Sequence, residues 1–70
     1  MTEPAFDLRR ARLNAGLSIR GLAREAGVHE QIIRRLEAGE GARPQSVKPV
    51  ADFFGVKVLD IAPGLMDEAA

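Results

Sequence analysis

Apolar residues along this chain recur at helical spacing, between breaks made of glycine and proline. Leu8, Ala11, Arg12 and Ala15 share one face of a first segment. Ile19, Leu22, Ala23 and Ala26 fall at i, i+3, i+4 and i+7 of a second, an amphipathic stripe. In a third, Ile33 and Leu36 face one way, Glu30, Gln31, Arg34, Arg35 and Ala38 take the opposite arc, and Ile32 lies on the boundary. Val50, Phe53 and Phe54 form the apolar side of a fourth. No stretch alternates apolar and polar residues as a half-buried strand would. The breaks are Gly16, Gly27, Gly39-Glu40-Gly41, Pro44, Gly55 and Pro63-Gly64. The pattern predicts an all-α domain, a compact bundle of five short helices.

Local signals place the helix ends. The first helix is expected from about Pro4 to Ala15, with Pro4 in the first turn, where its missing N–H is harmless, and Gly16 as the stop. The second runs from Ile19 to Ala26, capped by Ser18 and ended by Gly27. Gly21 inside it costs about 1 kcal/mol relative to alanine, so it marks either close approach of another backbone or a neutral surface position. After the three-residue turn Gly27-Val28-His29, the third helix spans Glu30 to Ala38 and stops at Gly39. Residues 39–45 read as a loop. The fourth helix is expected from Val47 to Phe54, capped by Ser46, with Pro49 in its first turn. A fifth covers Val58 to Ala62, and Pro63-Gly64 closes the fold ahead of a fraying tail, for an ordered core of about residues 4–64.

With 70 residues the chain is a single small domain, able to bury only about 60% of the surface it exposes when unfolded. Hydrophobic residues at 46% and charged residues at 29% are the balance of a globular domain and not of a disordered chain. No apolar run approaches the ~18 residues of a membrane span, and Met1-Thr2-Glu3-Pro4 lacks the start of a secretory signal. Cysteine is absent, which excludes disulfides and thiolate metal sites. The single histidine would need carboxylates or a second chain to bind a metal. No metal, cofactor or membrane partner is expected, and the expected location is a reducing cytoplasm. There is no Gly-x-Ser-x-Gly, P-loop, dinucleotide fingerprint or histidine pair at i, i+4, and no nucleophile with a nearby base, so no catalytic residue is assigned.

The zero net charge conceals an uneven distribution. Residues 9–43 carry eight arginines (Arg9, Arg10, Arg12, Arg20, Arg24, Arg34, Arg35 and Arg43) against Glu25, Glu30, Glu37 and Glu40, a local +4. The field near such a patch depends on local charge, so a neutral total leaves a polyanion partner open. Arginine outnumbers lysine eight to two. Coding bias accounts for that as well as bidentate contact with phosphate or guanine does.

Two helices joined by a tight glycine-containing turn, within a chain of short helices, form a helix-turn-helix, here residues 18–38. Leu22-Ala23, Gly27-Val28, Ile33, Leu36-Glu37 and Gly39 resemble the pattern of the Cro/C1-type (XRE) family of phage and bacterial repressors. So do Arg12, Gly16-Leu17-Ser18, Pro44 and Val50-Ala51…Phe54-Gly55-Val56. The resemblance covers residues 4–62. It implies a DNA-binding transcriptional regulator that acts on double-stranded DNA. Leu22-Ala23…Gly27-Val28…Ile33-Arg34-Arg35…Glu37 also suits the opening of a MerR-like module, but a winged hairpin should then follow, and Ser46 to Ile61 reads as helix.

The resemblance implies a site. The third helix would enter the major groove, with Glu30, Gln31, Ile32 and Arg35 at base edges. Gln31 can pair bidentately with adenine, Arg35 can fork onto guanine, Glu30 can accept from cytosine N4, and Ile32 can touch a thymine methyl. Ser18, Arg20, Arg24, His29, Arg34 and Arg43 would hold phosphates and set register. Many relatives have glutamine where Ile19 stands. Isoleucine cannot make that phosphate contact, which shifts weight onto Ser18 and Arg20. At His29, where the family usually has Ser or Thr as helix cap, histidine caps less well. It reads as a partly exposed turn residue, or as a phosphate contact that strengthens as the ring gains a proton. Arg12 and Glu37 match positions that form a structural ion pair between the first and third helices. Read without the resemblance, the outward arc of the third helix is also that of an ordinary solvated surface.

Val56, Val58, Leu59, Ile61, Leu65 and Met66 make the C-terminal stretch more apolar than a tail requires. Part of it is expected to pack on Phe53 and Phe54, and the rest to form a homodimer contact. No effector domain and no small-molecule effector are expected, so control would come from concentration, a partner chain or degradation. The mechanism so implied is repression by operator occupancy, in a phage-like regulator. A protein-interaction module of the same fold, holding a toxin, an antirepressor or a polymerase subunit, is the alternative from another class.

Overall fold

The computed structural model describes residues 6–62. Five helices follow one another: α1 (Leu8–Asn14), α2 (Ile19–Ala26), α3 (Glu30–Glu37), α4 (Pro44–Phe54) and α5 (Val58–Ile61), with no strand among the described residues. The expected Pro4 start, the Pro63-Gly64 closure, the tail, Leu65 and Met66 lie outside the described residues.

Each helix ends as its sequence dictates. Asp7 Oδ1 accepts from the Arg10 N–H at 3.1 Å, Ser18 Oγ from the Gly21 N–H at 2.9 Å, and His29 Nδ1 from the Gln31 N–H at 3.0 Å. These bonds satisfy donors that the first turn leaves without intrahelical partners. At the other ends, the N–H of Leu17, Val28, Glu40 and Val56 returns to the carbonyl five residues back. Each follows a glycine with positive φ. The reversal is tightest to read at Gly27 (φ +77°), where the Gly27 and Val28 N–H groups both reach the Ala23 carbonyl, at 2.8 and 2.9 Å. This left-handed turn sets the angle at which α3 leaves α2.

α2 has the bounds read from the sequence, and α3 ends one residue early, with Ala38 as its C-cap. Two starts differ. α1 begins at Leu8, because Asp7 is a strong cap and halts the helix there. α4 begins at Pro44, not Val47, because proline's fixed φ suits the first helical position. Ser46 is therefore inside the helix. Pro49 is in the helix interior and not in its first turn, where it withholds one N–H from the Gln45 carbonyl on an exposed stretch.

The core is built from all five helices: Leu8, Leu22, Ala23, Ile33, Leu36, Val47, Val50, Ala51 and Ile61, with Ala42 and Ala62 from the connections. Leu22, Ile33, Val47 and Val50 are wholly buried. Val47, Val50, Ala51 and Phe54 form the inward stripe of α4, and Phe53 turns out, edge-on to Phe54 with ring centroids 4.9 Å apart. This corrects the expectation that Phe53 is core: once α4 starts at Pro44, the stripe runs through Val47. The other side of Phe54 meets Phe6, at 5.4 Å, which ties the segment before α1 to α4. Ala15 is exposed at the end of α1. Gly21 has its own cap as neighbour, since a Cβ there would lie 3.2 Å from Ser18 Oγ, so no other backbone approaches it. No helix among the described residues is long and apolar enough to cross a membrane.

Candidate nucleic-acid interface

The α2–turn–α3 unit is held from behind. Leu22 and Ala23 of α2 and Ile33 and Leu36 of α3 enter one core, and half-buried Val28 packs the turn onto it. Burying those residues leaves the opposite arc of α3 to solvent, as its 3.6-residue period requires. Gln31, Arg34 and Ala38 are exposed there, and Ile32 is half-buried at its edge.

The buried bridge between Arg12 and Glu37 fixes α3 to α1. Arg12 Nε donates to Glu37 Oε2, Nη2 donates to Oε1 at 3.1 Å, and Nη1 donates to the Leu17 carbonyl at 3.0 Å. The two side chains are only 8% and 10% exposed, so the pair cannot touch a ligand. The hydrogen bonds that Arg12 donates to Glu37 raise the Arg12 guanidinium above its ordinary value, although burial acts the other way. All three Arg12 contacts bind inside the domain, and the pair holds α3 in place against α1.

The flanking cations divide into two groups. Arg24 and Arg43 are exposed and make no ion pair among the described residues. Arg43 is the residue before α4 and Arg24 lies in the last turn of α2. Ser18 Oγ is committed to its cap, and so is His29 Nδ1, which leaves the His29 Nε2–H free to donate. Histidine thus supplies the cap of α3 from an exposed turn position, where the family usually has Ser or Thr. Ile19 is half-buried against the core, so packing occupies the position where relatives carry glutamine.

Two of the four residues assigned to base edges are engaged elsewhere in the free domain. Arg35 is half-buried; its Nε donates to the Gly41 carbonyl at 3.4 Å, and its Nη1 lies 3.6 Å from Glu40 Oε1. It braces the loop after α3. Glu30 accepts from Arg20 Nε at 3.2 Å and from Arg34 Nη2 at 3.1 Å. The i, i+4 spacing of Glu30 and Arg34 is a signal legible in the sequence. The link to Arg20 is tertiary and has no such signal. Among the described residues, Gln31 of α3, Arg24 of α2 and Arg43 before α4 are exposed and in no ion pair. Among the described residues no cluster of metal-binding side chains is present.

A helix-turn-helix family model matches residues 8–61, from the first residue of α1 to the last of α5. No curated protein and no solved structure matches the chain. Where a MerR-like wing would follow the helix pair, α4 stands instead. The matched family binds double-stranded DNA and is not an enzymatic one. The register of five helices, the glycine turn after α2 and the buried bridge from α1 to α3 all agree with that match, and the chain belongs to the Cro/C1-type (XRE) helix-turn-helix family of DNA-binding regulators.

Proposed function

We propose that this domain is a sequence-specific transcriptional regulator, a repressor that acts by occupying its operator as a homodimer. The observation that carries the reading is the exposed arc of α3, which presents Gln31 and Arg34 to solvent on a helix whose back is locked into the core. In this reading α3 lies in the major groove and Gln31 pairs with an adenine, for about 1–3 kcal/mol of base discrimination. Ile32, at the edge of the arc, meets a thymine methyl. Arg35 reaches guanine after leaving the Gly41 carbonyl. Ser18 with the start of α2, together with Arg20, Arg24, Arg34, Arg43 and the His29 Nε2–H, anchors the phosphates.

One such module covers about 600–1,000 Å² on DNA, and a pair of half-sites gives tighter binding than one. Phe53 and Leu59, 40% and 63% exposed on neighbouring α4 and α5, are large apolar side chains that a second copy would cover.

Selection of random duplex DNA at low salt, followed by sequencing, tests the reading. The expected result is an inverted repeat with half-sites about 10–10.5 bp apart, or a multiple of that. Gln31→Ala should relax the preference at one base position per half-site. An enriched single half-site would remove the dimer and keep the reader. No enrichment, with Gln31→Ala and Arg34→Ala leaving function intact, would refute DNA reading in favour of a protein-interaction module.

A further inference from the structure

Glu30 stands in the first turn of α3, and each of its carboxylate oxygens serves a different helix. Oε2 takes the Arg20 guanidinium of α2 and Oε1 that of Arg34, one turn along α3. The Arg20, Arg34 and Glu30 side chains are 77%, 54% and 33% exposed, so the bridge is on the surface and not part of the core. Exposed ion pairs of this kind are weak and open at little cost. A carboxylate presents oxygens to a guanidinium much as a phosphate does. Arg20 and Arg34 flank the outward arc of α3, where a DNA backbone would pass under the reading above. In the free domain Glu30 therefore sits on the two guanidiniums that a phosphate would seek.

We propose that Glu30 is a built-in competitor for the DNA phosphate, one that sets how tightly this surface holds any duplex. This rests on the reading of α3 as the groove helix. With Glu30 in place the three side chains sum to +1, and without it to +2. On docking, the carboxylate must give up Arg20 and Arg34 and then lies close to the backbone charge, which lowers affinity on every sequence. A base-reading Glu30 would behave in the opposite way: its loss would weaken the selected site and blur a single base position. The two roles are separated by the sign of the effect.

The test is fluorescence anisotropy on random-sequence duplex over a range of salt, with wild type, Glu30→Gln and Glu25→Gln. Glu25 is exposed on α2 and forms no ion pair among the described residues, so it controls for net charge alone. The expected result for Glu30→Gln is about three- to tenfold tighter binding at low salt, and a log–log salt slope steeper by about 0.9, one added phosphate contact. Glu25→Gln should change affinity less than about twofold, since Glu25 occupies no arginine among the described residues and its loss frees none. Arg20→Gln should weaken binding more in the Glu30→Gln background than in wild type, which ties the effect to the bridge. Circular dichroism of each variant verifies the helical content. Equal or weaker binding by Glu30→Gln, an unchanged slope, or an equal gain from Glu25→Gln would overturn the proposal while the DNA reading stands. Absence of duplex binding by wild type and Glu30→Gln alike, at the lowest salt, would overturn both.

Discussion

Replacing Arg12 by alanine removes the cation that joins α1, the α1–α2 connection and α3. Three hydrogen bonds are lost, two to Glu37 and one to the Leu17 carbonyl. What remains is a carboxylate only 10% exposed with no cation beside it. Breaking one side of a buried pair costs about 3–5 kcal/mol, mainly through the stranded charge. At roughly 0.05–0.15 kcal/mol per residue, a domain of this length has about 4–10 kcal/mol to lose. Arg12→Ala should therefore remove between a third and all of the stability. Glu37→Ala should do the same from the other side.

Replacing both partners by apolar residues of similar volume, Arg12→Met with Glu37→Leu, leaves no stranded charge and should fall within about 1 kcal/mol of wild type or above it. Urea unfolding followed by far-ultraviolet circular dichroism reads all four proteins. At about 4–8 °C per kcal/mol for a domain of this size, the single variants should also lose at least ~12 °C in Tm. A loss below about 1 kcal/mol in either single variant is the value of a surface pair, and would refute the claim that this bridge fixes α3. The double variant should also keep its duplex affinity, because the pair faces the interior. The bridge raises Arg12 above its ordinary value, so its contribution is full below the unfolded-state value and is lost only as pH climbs through the higher folded one. Arg12 should thus introduce no pH dependence of stability across the neutral range.

Two smaller perturbations test the local devices. Ser18→Ala strands the Gly21 N–H and His29→Ala the Gln31 N–H, each for about 1 kcal/mol in urea unfolding, and His29→Ser should restore the loss at α3. Gly27→Ala places a side chain at φ +77° with no neighbouring atom within 4 Å, so its cost should be the backbone term alone, about 1–2 kcal/mol. A neutral result would show that the turn relaxes.

The inner face of the fold could be read from spacing because helical period and burial agree there. Leu22, Ala23, Ile33 and Leu36 lie on the predicted side, and Gln31 and Arg34 on the opposite one. Gly16, Gly27, Gly39 and Gly55 end their helices because an N–H can return to the carbonyl five residues back only through a left-handed residue. The helix starts were less legible. Proline suits a first turn wherever it occurs, so Pro44 and Pro49 both offered a first turn for α4, and the start at Pro44 brings Val47 into the buried stripe. Phe53 and Phe54 are indistinguishable in composition; the ring of Phe6, from far along the chain, meets Phe54 and leaves Phe53 outside.

The site divides along the same line. Local order along the chain is enough to set which side of α3 faces away from the core, since backbone geometry alone turns every 3.6 residues. It is also enough to put a glycine reversal between α2 and α3, and so to define a helix-turn-helix. How long, charged side chains settle is decided by what the fold brings within reach. Arg35 lies on the outward arc by period yet bends to the Gly41 carbonyl, because the loop after α3 folds back beside it. Glu30 is held by Arg20, ten residues away on another helix. Arg12 and Glu37, twenty-five residues apart, become one buried unit only when α1 and α3 pack. Apolar periodicity is a property of the backbone and is written into residue order, whereas the partner of a flexible charge is chosen by distance and dielectric after the helices have met.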